Sequence, residues 1–283
     1  YTHDVIVEKG LEFMEEEKDG PFFAFFSFTI PHHEWTAPDE TLKEYEGVFE
    51  EEVPEHTWRE GYALPDAPRA NMAAMITHMD KGIGEIMAKL KVLGIDDNTL
   101  VIFTSDNGAD AYSIASPEFF KANGDLRGYK YDFYEGGIRV PTIARWPENI
   151  KTPKDCVTPF YFADFLPTFA ALAGNKKSIA KETDGISFAP TLLGEPDQEH
   201  HDFMYWGSEE GQWAGRMGNF KMVQQGDMTE PELYDLSKDT EESNDIAQKH
   251  PEIAKKMRAL LEKNHEPAPP QIEPDAPDGR YYR

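Results

Sequence analysis

The stretch Leu100-Val101-Ile102-Phe103-Thr104-Ser105-Asp106-Asn107-Gly108 is a short apolar run that stops at a cluster of polar turn formers. Such a run reads as a buried strand whose C-terminal end opens into a loop. Just upstream, Met72, Met75, Ile76, Met79, Ile83, Ile86, Met87 and Leu90 recur at helical spacing, and Gly94 closes that helix. The same order occurs earlier in the chain. Val7, Leu11 and Met14, with Ile6 and Phe13 beside them, predict a helix over residues 4–17 that Asp19-Gly20-Pro21 ends. Residues 22–30 then form an apolar run suited to a strand buried on both faces, ended by Pro31. Repeated helix-strand units predict an α/β fold with a mainly parallel or mixed central sheet.

Downstream, residues 138–146 read as another short strand and residues 164–173 as a helix with Gly174 at its end. From about His200 the pattern changes. Residues 203–206, 213–217, 220–223 and 233–236 are short strand-like pieces separated by Gly, Asn and Asp, and a helix over residues 252–263 follows. We read this as a small C-terminal antiparallel sheet plus helix. The expected organisation is a main α/β domain over residues 1–199, the sheet-helix subdomain over 200–264, and a Pro-rich extended tail over 265–283. Residues 37–68 lack a sustained period and read as surface loop.

The 283 residues include 53 acidic against 28 basic ones, a formal charge of -25. Phosphate neutralisation needs clustered Lys and Arg, so nucleic acid and anionic membrane are not expected partners. A small anion is still admissible, because distant charges are screened and a few local cations dominate a pocket. The longest apolar run is strand-sized, too short to span a bilayer, so a soluble chain without a membrane partner is expected. The single cysteine, Cys156, has no second Cys as a metal or disulfide partner and reads as a small buried hydrophobe.

Three groups fall at or just after predicted strand ends, where ligands gather in open α/β sheets. Asp106 and Asn107 are either a common Asx turn or a pair of hard oxygen donors suited to Ca²⁺ or Mg²⁺. Lys130 is either a solvated lysine or, with Gly128 before it and Glu135-Gly136-Gly137 after it, a cation on a loop that allows close backbone approach to a ligand. Glu135 reads as a buried partner for a nearby cation and Arg139 as architectural. His32 follows the strand-ending Pro31, but His33 competes with it, since only one of two adjacent side chains can point inward from an extended backbone.

These segments resemble the arylsulfatase family of the alkaline-phosphatase superfamily. The resemblance is carried by Thr29-Ile30-Pro31-His32, His78-Met79-Asp80-Lys81, Phe103 to Gly108, Leu126-Arg127-Gly128-Tyr129-Lys130, Glu135 to Pro141, Asp164-Phe165-Leu166-Pro167-Thr168 and Glu232 to Leu236. It implies an alkaline-phosphatase-like sandwich, with Asp106 and Asn107 as Ca²⁺ ligands (Mg²⁺ being possible) and Lys130 and His32 on the sulfate or ester oxygen. It also implies sulfuric ester hydrolysis through a formylglycine made from Cys or Ser, acting on an aryl sulfate or a sulfated glycan. The family's Cys/Ser-x-Pro-x-Arg nucleophile segment is absent from these 283 residues. The chain is therefore expected to resemble the C-terminal portion of a sulfatase, inactive alone and associating with the missing N-terminal part or with itself. A periplasmic or secreted location is expected. The alternatives are a phosphate or phosphonate ester hydrolase of the same superfamily and a non-catalytic sulfated-glycan-binding domain.

Overall fold

A computed structural model describes residues 1–53, 55, 64–111, 115, 117–151, 154–175, 183–208, 211–226, 228 and 230–265. Among the described residues eight α-helices run in the order α1 (Thr2–Glu17), α2 (Asp39–Leu42), α3 (Pro68–Val92), α4 (Pro117–Phe120), α5 (Glu135–Ile138), α6 (Phe165–Leu172), α7 (Ala189–Leu193) and α8 (Pro251–Asn264). The strands are β1 (Val101–Thr104), β2 (Thr142–Arg145), β3 (Met204–Gly207), β4 (Trp213–Met217), β5 (Phe220–Gln224) and β6 (Glu232–Asp235).

The helical periodicities place the helices as expected. Val7 and Met14 of α1 pack on Ile86 and Leu90 of α3, with Leu11, Phe22, Phe26 and Phe28 around them. α3 starts earlier than its apolar pattern, with Pro68 in its first turn, where the missing N–H costs nothing. It ends in a Schellman arrangement: Gly94 has φ +71°, its N–H donates to Lys91 O, and Ile95 N–H donates to Leu90 O.

The expected central sheet is mainly parallel or mixed, and the pair described in it is antiparallel. Among the described residues β1 pairs only with β2, antiparallel, with Val101 opposite Arg145 and Thr104 opposite Thr142. Residues 21–29 join no ladder among the described residues, and their exposure alternates along the segment. Phe22, Phe26 and Phe28 face α1 and α3, whereas Phe23 is 67% and Phe25 79% exposed. A continuous apolar run looks the same in sequence whether or not a neighbouring strand takes up its hydrogen bonds, and here no described strand does. Residues 138–146 are likewise split, Ile138 closing α5 and only Thr142–Arg145 forming the strand.

The C-terminal sheet matches its expectation in every strand. β3, β4, β5 and β6 lie in sequence order, each antiparallel to the next. α8 covers one face through Met257 and Leu261 on Met222 and Leu233. On the other face Tyr134 packs with Ala214, Val223, Tyr234 and Leu236, so a loop from the first half of the chain is built into this core.

One smaller expectation changes. Cys156 is exposed rather than buried, because residues 154–160 form no helix or strand that would carry it into a core. Trp35 is buried with Ile30 and Met75, and Trp213 packs against the α8 cluster. Trp58 and residues 266–283 of the tail lie outside the described residues.

Candidate active site

Three backbone segments are sewn together where β1 ends. Gly108 N–H donates to Gly137 O at 3.0 Å, Gly136 N–H to Arg127 O at 2.7 Å, and Lys130 N–H to Ala109 O at 2.7 Å. The contacts require glycine, since a Cβ on Gly108 would run into Gly136 O and one on Gly136 into the carbonyls of Arg127 and Gly128. Asn123 locks the same junction, accepting from Ala109 N–H and donating to Gly128 O, both at 2.9 Å. Lys130 is thereby fixed beside the loop that carries Asp106 and Asn107.

Lys130 Nζ reaches His32 Nε2 at 3.1 Å, joining loops 98 residues apart. With its proton on Nδ1, His32 donates to His33 O at 3.3 Å and presents the Nε2 lone pair to the ammonium. The competition between the two histidines is resolved by geometry. His33 turns inward, its side chain 2% exposed and 3.3 Å from Asp110, against Trp35 at a ring-centroid distance of 4.2 Å. Burial, and next the neighbouring His32, hold His33 below the ordinary histidine range against the pull of Asp110. His32 is left exposed on the groove that Asp106, Asn107 and Lys130 also line.

The donor chemistry for a hard cation is partly present. Asp106 is exposed and its carboxylate makes no hydrogen bond among the described residues. Asn107 donates Nδ2–H to Gly108 O at 2.9 Å, which leaves its carboxamide oxygen available. Two oxygens fit Ca²⁺ or Mg²⁺ in kind, but Ca²⁺ takes six to eight, so they supply only part of a shell. No group of three or more His, Cys, Asp or Glu among the described residues completes it.

Sequence reasoning missed what holds the Lys130 loop from behind. Arg127 lies 3.8 Å from the Tyr134 ring centroid, donates to Tyr234 OH at 2.8 Å and Glu242 O at 2.9 Å, and approaches Glu232 at 3.4 Å. Tyr134 and Tyr234 both donate to Glu232, at 2.5 and 2.6 Å, and burial together with that carboxylate pushes both phenols above their ordinary range. Glu135 has the cation partner expected of it: fully buried Lys221 of β5, at 2.8 Å, which also pairs with Glu242 at 2.9 Å. Burial raises Glu242 above the usual carboxylate range. Arg139 reaches the other oxygen of Glu135 at 3.4 Å. Phe133 N–H donates to Gln225 at 2.7 Å, so the loop is tied to β5 and its flank at several points. A lysine between Phe220 and Met222 was the available signal for this buried charge, because a strand core rarely carries one unpaired.

Comparison with known proteins gives a consistent set of relatives. A family model described as Sulfatase matches residues 1–175, and one described as N-sulphoglucosamine sulphohydrolase, C-terminal, matches residues 128–267. An N-acetylgalactosamine-6-O-sulfatase of Bacteroides thetaiotaomicron is 30% identical over 279 residues, covering 92% of this chain and 50% of that protein. A steryl-sulfatase of Rattus norvegicus is 30% identical over 207 residues, covering 72% of this chain and 32% of that protein. The crystal structure of Ps i-CgsB in complex with k-i-k-neocarrahexaose superposes with a TM-score of 0.76 at 24% identity, over 95% of this chain and 56% of that one. At that identity the likeness establishes the fold alone. The chain spans at most about half the length of these two curated relatives.

Proposed function

The chain belongs to the sulfatase family, and from that membership we propose that the full-length protein is a sulfuric ester hydrolase acting on a sulfated carbohydrate or aryl sulfate. The observation that carries this reading is the contact of Lys130 Nζ with His32 Nε2 at 3.1 Å, beside a loop bearing two free hard donors. A sulfate monoester presents anionic oxygens and a bridging oxygen that must leave with a proton. Lys130, as a compact cation, donates to a sulfate oxygen and offsets charge that grows in the transition state. His32, once protonated at Nε2, faces the same point and delivers the proton to the leaving oxygen.

Asp106 and Asn107 would hold a divalent cation, which when bound adds positive charge on the sulfate oxygens. Attack on sulfur needs a nucleophile that these residues do not include. In the family resemblance it is a formylglycine formed from Cys or Ser, so the 283 residues alone are inactive under this proposal. We infer a periplasmic or secreted location, supported by the same resemblance. Phe23, Phe25 and Ile143, 64% exposed on β2, leave an apolar face that we assign to the remainder of the full-length protein or to a second copy.

The test is hydrolysis of matched sulfate and phosphate esters by the full-length protein and its Lys130→Ala variant. The proposal expects the sulfate ester to be preferred and kcat/KM to fall about a hundredfold or more in the variant. Preference for the phosphate ester moves the protein to phosphoryl transfer. Binding of a sulfated glycan without turnover, together with no formylglycine by mass spectrometry, makes it a binding domain.

A further inference from the structure

Tyr131, next to Lys130, is held in a conformation that suits glycine. Its φ is +79°, in the left-handed region where a bulky side chain is strained. The turn is fixed on both sides: Asp132 N–H donates to Tyr129 O at 2.8 Å, Tyr129 N–H to Asp132 Oδ2 at 2.8 Å, and Lys130 N–H to Ala109 O. The ring is 69% exposed. Among the described residues it stacks on no other ring and its hydroxyl makes no hydrogen bond. Lys130 Nζ lies 5.3 Å from the ring centroid.

A lone exposed aromatic needs no explanation in general. Tyr131 differs because the chain strains its backbone to present a ring to water beside the cation assigned to the sulfate. Phe23 and Phe25, also exposed, lie along the unpaired segment of residues 21–29, and the guanidinium of Arg69 lies 4.1 Å from the Phe119 ring centroid.

We propose that Tyr131 is a specificity-determining stacking platform for the ring, sugar or aryl, that bears the ester sulfate. The inference rests on the sulfate-site reading of Lys130 and deepens it. Under this proposal Lys130 fixes the sulfate and the first ring beyond the ester oxygen meets the Tyr131 ring, which adjoins Lys130. A rigid ring offers its flat or C–H face contact area at small entropic cost. The platform favours ring-bearing esters and contributes nothing to free sulfate.

Steady-state kinetics of the full-length protein with 4-nitrophenyl sulfate and N-acetylgalactosamine 6-sulfate test this in Tyr131→Gly and Tyr131→Phe. Glycine relieves the positive φ, so Tyr131→Gly is expected to melt no lower than wild type. Its KM for whichever ester is turned over should rise about tenfold, Tyr131→Phe should stay within about twofold, and inhibition by inorganic sulfate should not change. The inference is overturned if Tyr131→Gly keeps the wild-type KM, or if Tyr131→Phe loses as much as Tyr131→Gly. Lys130→Ala separates the two levels. Wild-type kinetics there removes the site reading and this inference with it, whereas a loss there beside an unaffected Tyr131→Gly removes the platform alone.

Discussion

The four-stranded C-terminal sheet and the apolar segment around residues 21–29 contain similar side chains and meet opposite fates. In the sheet, Ala214, Met222, Val223 and Leu233 are fully buried between α8 and the Tyr134 loop. Along the segment Phe23 and Phe25 face water, and on β2 Ile143 does. The sheet completes its two cores with residues of this chain, while the segment completes only the side that touches α1 and α3. The site loop is hung on the completed region. Arg127, Glu135 and Phe133 all reach back to residues 225–242 or to Lys221, so Lys130 is aimed by the part of the chain that is packed on both sides.

The largest effect should come from breaking the charge cluster that joins loop to sheet. Lys221→Met leaves the buried carboxylates of Glu135 and Glu242 facing each other, and removing one partner of a buried pair costs about 3–5 kcal/mol. Urea denaturation measures it, and kcat/KM of the full-length protein should fall as well because the Lys130 loop loses its anchor. Next, Met222→Ala opens a cavity under α8 and should cost about 2–5 kcal/mol in the same assay.

A pH dependence follows in size. Burial, and next the nearby His78, hold His3 below the ordinary histidine range, Asp4 opposing weakly, and His33 is lowered in the same direction. The unfolded chain therefore takes up protons first on acidification. Stability is lost as pH falls below about 6.5 and continues to fall toward the folded-state values. Melting curves between about pH 7 and 5 should show this decline. His3→Leu should flatten part of it and leave the His33 share. The smallest effect is expected at Phe25→Ala: with the ring 79% exposed, this chain should lose no more than about 0.5 kcal/mol. A cost in the full-length protein as large as that of Met222→Ala would mean that the open face is covered there.

Legibility in the sequence followed whether a residue's partner is local. The strands β3 to β6 and the helices α1, α3, α6 and α8 announce themselves by period and by Gly or Pro at their ends. Residues 22–30 read as a doubly buried strand and are not one, because apolarity reports what could be buried, not what lies beside it. His32, Lys130, Asp106 and Asn107 could be named from strand ends and a family likeness, and the first two meet. The direction of His33 and the partners of Glu135 could not, since Lys221 and Glu242 are brought there only by the turn of the C-terminal sheet. Tyr131 is not legible in the sequence, because a positive φ leaves no trace in a tyrosine's identity.

The most direct test of the account is a crystal structure of the full-length protein with an unhydrolysed sulfate ester. Sulfate or ester oxygens should lie within hydrogen-bonding distance of both Lys130 Nζ and His32 Nε2, about 2.7–3.2 Å, with Asp106 and Asn107 on a divalent cation. An ester bound elsewhere, with the Lys130–His32 contact intact and facing empty solvent, would contradict it.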